Sequence, residues 1–302
     1  MIVSALDAQT LVDAVGLGAV YALMAVGIGL VFGVLRLVNF AYGQLVMAGA
    51  YTLAFTSGWP VAGSIVACFA VVIALSVLME RALFRPLRTS SPAVMLVTTF
   101  AVAFLLQSIA LILDIRDGTI GEPAVSLAPL NQAVSIGGVD VRKVTIVAVV
   151  VAASTLALLA LLLGRTNIGL HMRAASTDFR TARLLGVRAD TVIGVAVLLS
   201  GVLAAIVAMI LTVQLPFVAP DFALKETIVV LVGVVVGGID RLWTATLGGF
   251  AIGFASGIIN GALPTDKTVF LPSALFALVI LVLLLRPAGV FARGRATAVD
   301  RV

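Results

Sequence analysis

The chain offers few side chains for covalent chemistry. Its single histidine, His171, and its single cysteine, Cys68, stand far apart. No G-x-x-x-x-G-K-[ST] phosphate loop, no metal-ligand spacing and no Ser-His-Asp constellation occurs. No catalytic residue and no metal site is expected, and the chain should not hydrolyse ATP itself. What remains is chemistry of charge and hydrogen bonding, in two places. Residues 165–190, RTNIGLHMRAASTDFRTARLLGVRAD, carry five arginines, one histidine and two aspartates between long apolar runs. Asn39, Tyr42 and Gln44 form a short neutral polar group between two other apolar runs, and Gln107 is a lone amide within a third.

The elements that hold these groups are membrane helices. Of 302 residues, 62% are hydrophobic and 11% charged, against about 45–50% and about 25% in soluble domains. Mean hydropathy is +1.24. An all-α, polytopic membrane bundle follows, with 1–302 as one integral-membrane domain. The apolar runs are 11–35, 41–58, 61–79, 91–113, 144–164, 191–213, 226–239, 243–261 and 270–285. The seventh is short for a span, and eight to ten crossings are expected. The N-terminal MIVSALDAQT lacks a basic stretch, so no cleavable signal is expected. One cysteine excludes an intrachain disulfide.

Charge orients the bundle. Loops at 36–40, 80–90, 165–190, 240–242 and 286–302 hold 14 of the 19 Lys and Arg residues. That side is expected to be cytoplasmic, with the N-terminus outside and the tail 287–302 inside. The same bias accounts for the pI near 10.0 without nucleic acid as a partner. The longest loop on the opposite side is 114–143. It ends in Val134-Ser-Ile-Gly-Gly-Val-Asp-Val141, which predicts a small hairpin around Gly137-Gly138.

Within 165–190, Met172, Ala175, Phe179, Ala182 and Leu185 fall on one helical stripe, and Arg173, Arg180 and Arg183 fall away from it. Ser176-Thr177-Asp178 suits the start of a second short helix and Gly186 its end. Asp190 is then expected to cap the next span. Positive-inside bias alone accounts for the arginines. It does not account for ordered caps and small residues (Ala174, Ala175, Ala182), so the stretch reads as an elbow that docks another protein.

Around residue 40 the chain must turn or break, because 11–58 as one helix would reach about 72 Å, far beyond one crossing. Broken segments inside a membrane commonly line a pathway. Gly237-Gly238-Ile239-Asp240-Arg241 and Leu247-Gly248-Gly249 form a second interruption. Path-lining and close helix packing are both open for these stretches. Gln107, like Asn260, is either an interhelical hydrogen bonder or a path residue. Trp59 and Trp243 fall at span ends as interfacial anchors, and His171 reads as a solvated loop residue.

Several stretches together resemble the LivH-type permease, a membrane subunit of branched-chain amino-acid ABC importers. Arg173-Ala174-Ala175, Asp178 and Ala182-Arg-Leu-Leu-Gly186-Val187 are similar to its coupling loop. Gly33-Val-Leu-Arg-Leu-Val-Asn39-Phe40-Ala41-Tyr42-Gly43, Met47-Ala-Gly49-Ala50-Tyr51, Val236-Gly237-Gly238-Ile239 and Leu284-Leu-Arg286-Pro287-Ala-Gly289-Val290-Phe291 follow in the same order. One departure is Tyr42-Gly43-Gln44, where the family usually has His-Gly-Glu or His-Gly-Asp. The resemblance implies an inner-membrane permease whose elbow (Arg173, Ala174, Ala175, Asp178, Phe179, Arg180, Ala182, Leu185, Gly186) couples to an ATPase. Asn39, Tyr42, Gln44 and Gln107 are the expected path. It also implies, as partners, a second permease or copy, two ATP-binding subunits carrying ATP and Mg, an extracytoplasmic amino-acid-binding protein and membrane lipid. The neutral polar group suits a zwitterion or a neutral amide, so urea and short amides stand beside branched-chain amino acids. An ion-coupled transporter acting alone would need ionisable residues in the membrane. Most of the 14 acidic residues map to loops or span ends, with Asp13 and Glu226 at the starts of runs.

Overall fold

The structure is a computed structural model that describes residues 8–35, 39–87, 90–118, 121–125, 127–136, 139–177, 179–238, 241–264 and 270–285. Each of the nine apolar runs contains a helix. Among the described residues, six helical segments are long and apolar enough to cross a membrane. They are α1 (Ala8–Leu35), α3 (Val61–Met79), α5 (Pro92–Asp117), α6 (Lys143–Arg165), α9 (Ala189–Gln214) and α11 (Leu242–Ala262). A π-helical turn, Glu80–Phe84, and the single turn α4 (Arg85–Leu87) continue α3. Three apolar helices are shorter: α2 (Tyr42–Phe55) and α10 (Leu224–Gly237) with 14 residues each, and α12 (Leu271–Leu285) with 15. Fourteen residues rise about 21 Å, against a hydrocarbon core of about 30 Å.

Helix α1 is the centre of the bundle, with 83% of its most apolar stretch buried. It is apolar on every side, so it has no face to turn to water. Its main partner is α11, which runs antiparallel on a ladder of glycines spaced by four. Gly261 meets Thr10, Gly257 meets Ala14, Gly253 meets Leu17 and Gly18, and Gly249 meets Tyr21 and Ala25. A Cβ at Gly253 would lie 2.8 Å from the Gly18 Cα and 2.9 Å from the Leu17 carbonyl oxygen. Only glycine allows backbones this close. Ser200 of α9 adds an interhelical hydrogen bond, its Oγ donating to the Gly27 carbonyl at 2.8 Å. The long helices α3, α5 and α6 bury far less, 22%, 17% and 17% of their apolar stretches, and form the outside.

The loops at the end opposite the 165–190 elbow carry the strand structure. β2 (Ala133–Ile136) pairs with β3 (Val139–Arg142), with Ile136 opposite Val139. This is the hairpin that the sequence predicts; its turn, 137–138, lies outside the described residues. β1 (Glu122–Pro123) pairs with β4 (Phe217–Val218). Two short helices form the elbow at the basic end, α7 (Asn167–Thr177) and α8 (Phe179–Leu184).

Candidate functional site: a mid-depth helix break and a basic elbow

The break near residue 40 is a re-entry into the bundle. Helix α2 does not begin at the basic end, where α1 finishes. Gly43, in its first turn, packs on Ala223 and Thr227 at the start of α10; a Cβ there would lie 2.9 Å from the Ala223 carbonyl oxygen. Thr227 precedes Gly237 by ten residues, roughly 15 Å of helix. Gly237 in turn packs on Thr244 and Gly248, near the start of α11. Two half-length helices therefore begin side by side near mid-depth and run apart. Helix α10 runs to the basic end. Helix α2 runs to the hairpin end, where the Tyr51 hydroxyl donates to Asp114 Oδ2 at 2.7 Å. Asp114 Oδ2 also accepts the Gly121 N–H at 2.8 Å, which ties α2, α5 and the outer loop together.

The four expected path residues have different surroundings. Asn39 is buried, and its Oδ1 accepts the Ala41 N–H at 3.1 Å while its carbonyl accepts the Tyr42 N–H at 3.3 Å. It closes the turn that starts α2. Tyr42 is 0% exposed, its ring lies on Gly27 of α1, and its hydroxyl has no hydrogen-bond partner among the described residues. Gln44 is 1% exposed and its Oε1 likewise has no partner among the described residues. Gln107 of α5 shares a cavity of about 80 Å³ with Gln44. Thus the structure brings Gln44 and Gln107 together, while Asn39 and Tyr42 brace the backbone around them.

The remaining cavity wall is Phe40, Phe100, Phe104, Leu224 and Ile228, with Ala103 between. Sequence reasoning missed these. Phe100, Phe104 and Gln107 do fall at i, i+4 and i+7, which puts them on one helix face. Because α5 is apolar all round, no moment singles that face out. Glu226, in the first turn of α10, has one buried carboxylate oxygen without a partner among the described residues.

The second interruption, around Gly237 and Gly248, is a packing contact. A Cβ at Gly237 would lie 2.8 Å from the Gly248 Cα. Ile239 and Asp240 lie outside the described residues.

The elbow sits over the end of α1. Met172, Ala175 and Ala182 are buried, as the helical stripe predicts. Met172, Arg173 and Ser176 face Gly29, Gly33 and Leu242 across a small cavity. Arg173 and Ala174 are exposed. Gly186 ends α8 with φ +90°, a conformation in which glycine carries no Cβ penalty. The Leu185 N–H donates to the Thr181 carbonyl and the Val187 N–H to the Ala182 carbonyl, both at 3.1 Å.

Two expectations are corrected. Leu185 departs from the buried stripe: with Leu184 it points outward, the two being 81% and 83% exposed. The short helix ends at Leu184, so the stripe's periodicity stops before it reaches Leu185. Ser176 and Thr177 hydroxyls both donate to the Arg173 carbonyl at the end of α7, and α8 begins at Phe179, just after the stretch expected to start it. Asp190 is no cap but lies in the first turn of α9, 3.7 Å from Arg85. Asp178 lies outside the described residues, as do the side chains of Phe179 and Arg180 and the tail 287–302. His171 is exposed. Trp59 and Trp243 are exposed at the starts of α3 and α11.

Comparison with known proteins agrees with this architecture. BraD of Pseudomonas aeruginosa, a high-affinity branched-chain amino acid transport system permease protein, is 29% identical over 94% of this chain and 95% of its own. LivH of Escherichia coli K12, which carries the same description, is 28% identical over 94% and 95%. LivH of Salmonella typhimurium is also 28% identical, with the same coverage. No solved structure matches. Residues 10–286 match the family described as branched-chain amino acid transport system, permease component. Nearly the whole bundle, from α1 to the end of α12, falls inside that match, and the chain belongs to this family of multi-pass membrane permeases.

Proposed function

We propose that the chain is one of two membrane subunits of an ATP-driven importer for branched-chain or related neutral amino acids. The observation that supports this best is the meeting of α2 and α10 near mid-depth beside the Gln44–Gln107 cavity. Half-length helices starting inside a bilayer commonly frame a transporter's site. The basic end, which bears 14 of the 19 Lys and Arg residues, is cytoplasmic. There the exposed Arg173, Leu184 and Leu185 of the elbow, with Ala174 and Gly186 shaping it, rest on an ATP-binding subunit. ATP and Mg belong to two such subunits. An extracytoplasmic binding protein delivers the solute at the hairpin end.

A second permease, homologous or identical, covers α5. Gln107, exposed Ser108 and Asp221 border one groove on a surface otherwise rich in exposed apolar side chains. Polar groups at membrane depth call for protein or water rather than lipid.

The test is purification of the tagged chain in mild detergent, then uptake of radiolabelled leucine into proteoliposomes holding everything that copurifies. The reading predicts ATP-binding subunits, a second permease and uptake that requires ATP. Uptake of urea or acetamide in place of leucine would move the substrate to the short amides. One observation favours a second reading, an ion-coupled transporter: the buried, half-satisfied carboxylate of Glu226. That reading requires uptake by the chain alone, driven by an ion gradient and abolished in Glu226→Gln.

A further inference from the structure

We infer that the cavity between α2, α5 and α10 holds the apolar side chain of the transported amino acid, and that Ala103, Phe104 and Ile228 set the size it accepts. The inference rests on the importer reading and adds to it a subsite.

The wall chemistry supports this assignment. Phe40 and Phe100 meet edge to face with centroids 5.4 Å apart, and Phe100 and Phe104 at 5.1 Å. Rings braced in this way hold a fixed shape. Leu224 and Ile228, one turn apart on α10, supply an aliphatic wall on the same cavity. Among the described residues, no charged side chain lines it. A lysine or aspartate side chain would lose its water there without a counter-charge, which is unfavourable. A branched aliphatic group loses nothing and gains by leaving water.

Size agrees as well. An apolar cavity of about 150 Å³ takes benzene, with its six carbons. The cavity here, at about 80 Å³, is on the scale of a three- or four-carbon branched group. Ala103 is buried on its wall. A larger residue at 103 would occupy the space a substrate needs.

The polar edge fits the rest of an amino acid. Gln44 is buried, with Oε1 unpartnered among the described residues, and Gln107 borders the same space. Each carboxamide both donates and accepts. Together they can accept from an ammonium group and donate to a carboxylate while the side chain lies among the rings. The neutral glutamine at 44 imposes no charge on this edge.

The experiment uses the whole transporter, with its partner subunits and binding protein, carrying Ala103→Cys or, separately, Ile228→Cys. The native Cys68 is fully buried, and a Cys68→Ser background removes it as a target. Labelling by a small methanethiosulfonate is timed with leucine, valine, glycine or lysine present in excess. Leucine and valine should slow labelling about tenfold, since a few methylenes in an apolar pocket are worth roughly that or more. Glycine and lysine should leave it unchanged. In parallel, Ala103→Leu should lower leucine uptake relative to alanine uptake by about tenfold. Phe104→Ala should raise the uptake of phenylalanine relative to leucine.

Equal protection by glycine and leucine would overturn the assignment. So would no protection at either position in a complex that still takes up leucine, or a uniform loss across substrates in both size variants. If the unmodified complex takes up no leucine, the importer reading itself falls, and the pocket assignment falls with it.

Discussion

The glycine ladder between α1 and α11 permits a worked prediction, with Gly253→Ala as the perturbation. The new Cβ would lie 2.8 Å from the Gly18 Cα, 2.9 Å from the Leu17 carbonyl oxygen and 2.9 Å from the Tyr21 Cβ. Non-bonded heavy atoms prefer roughly 3.5–4.0 Å. Two of the three obstacles are backbone, which cannot rotate away, so the helices must part by about 1 Å. A gap of that size forfeits a quarter to a half of each neighbouring contact, and overpacking of this kind costs about 1–3 kcal/mol. Against it stands the better helix propensity of alanine, at most about 1 kcal/mol. The net is a loss of up to about 2 kcal/mol. Gly194→Ala in α9 is the matched control, because a Cβ there meets nothing within 4 Å. It retains the propensity gain without the clash. The assay is the temperature at which the purified complex loses monodispersity in detergent. Gly253→Ala should fall by several degrees relative to Gly194→Ala. If the two variants melt together, the α1–α11 contact is not the close packing described here.

Other outcomes follow from the same geometry. Arg173→Glu or Leu184→Asp should leave membrane insertion intact and abolish ATP-driven uptake in vesicles; normal uptake by both would count against elbow docking. Gly186→Val should weaken uptake by disturbing the elbow, since a β-branched residue is strained at φ +90°; unchanged uptake and protease sensitivity would refute this. Tyr51→Phe should lower complex stability by about 1–3 kcal/mol, because it removes one donor to the buried Asp114. A thermal midpoint equal to wild type would show that the tie is idle. Gln44→Leu should keep the fold, since it replaces an amide whose Oε1 is unpartnered, yet should cut leucine uptake; stable protein with full uptake would remove Gln44 from the path.

The legible parts of the structure are local. Nine apolar runs become nine helices because each has length and composition in its favour. Gly186 ends α8 because only a residue without Cβ suits φ +90° there. The hairpin at 133–142 forms where alternation meets two glycines. What escapes the sequence is tertiary. The run 41–58 reads as a span, yet its helix stops at Phe55 after 14 residues, and nothing local says that it starts beside α10. The polar group at 39–44 marks a break but does not reveal that Asn39 caps its own turn while Gln44 faces Gln107. Leu185 carries the right period for the stripe but lies beyond the last helical residue. Glycines at 249, 253, 257 and 261 are readable at four-residue spacing, whereas their partner helix is known only from the fold.

Elbow and break are joined through a short stretch of α1. Met172, Arg173 and Ser176 face Gly29 and Gly33. Tyr42 rests on Gly27, whose carbonyl also accepts the Ser200 hydroxyl. From Gly27 to Gly33 is six residues, about 9 Å of helix. A push on the elbow therefore need not cross the whole bundle to reach the start of α2. Helix α1 is unsuited to bend locally, because α11 grips it from Thr10 to Gly29. Helix α10 is bound to the same pair, because Gly233 and Gly237 pack on Gly248 and Ile252 of α11. Tyr42 is thus the contact between this packed block and the half-helix that carries Gln44.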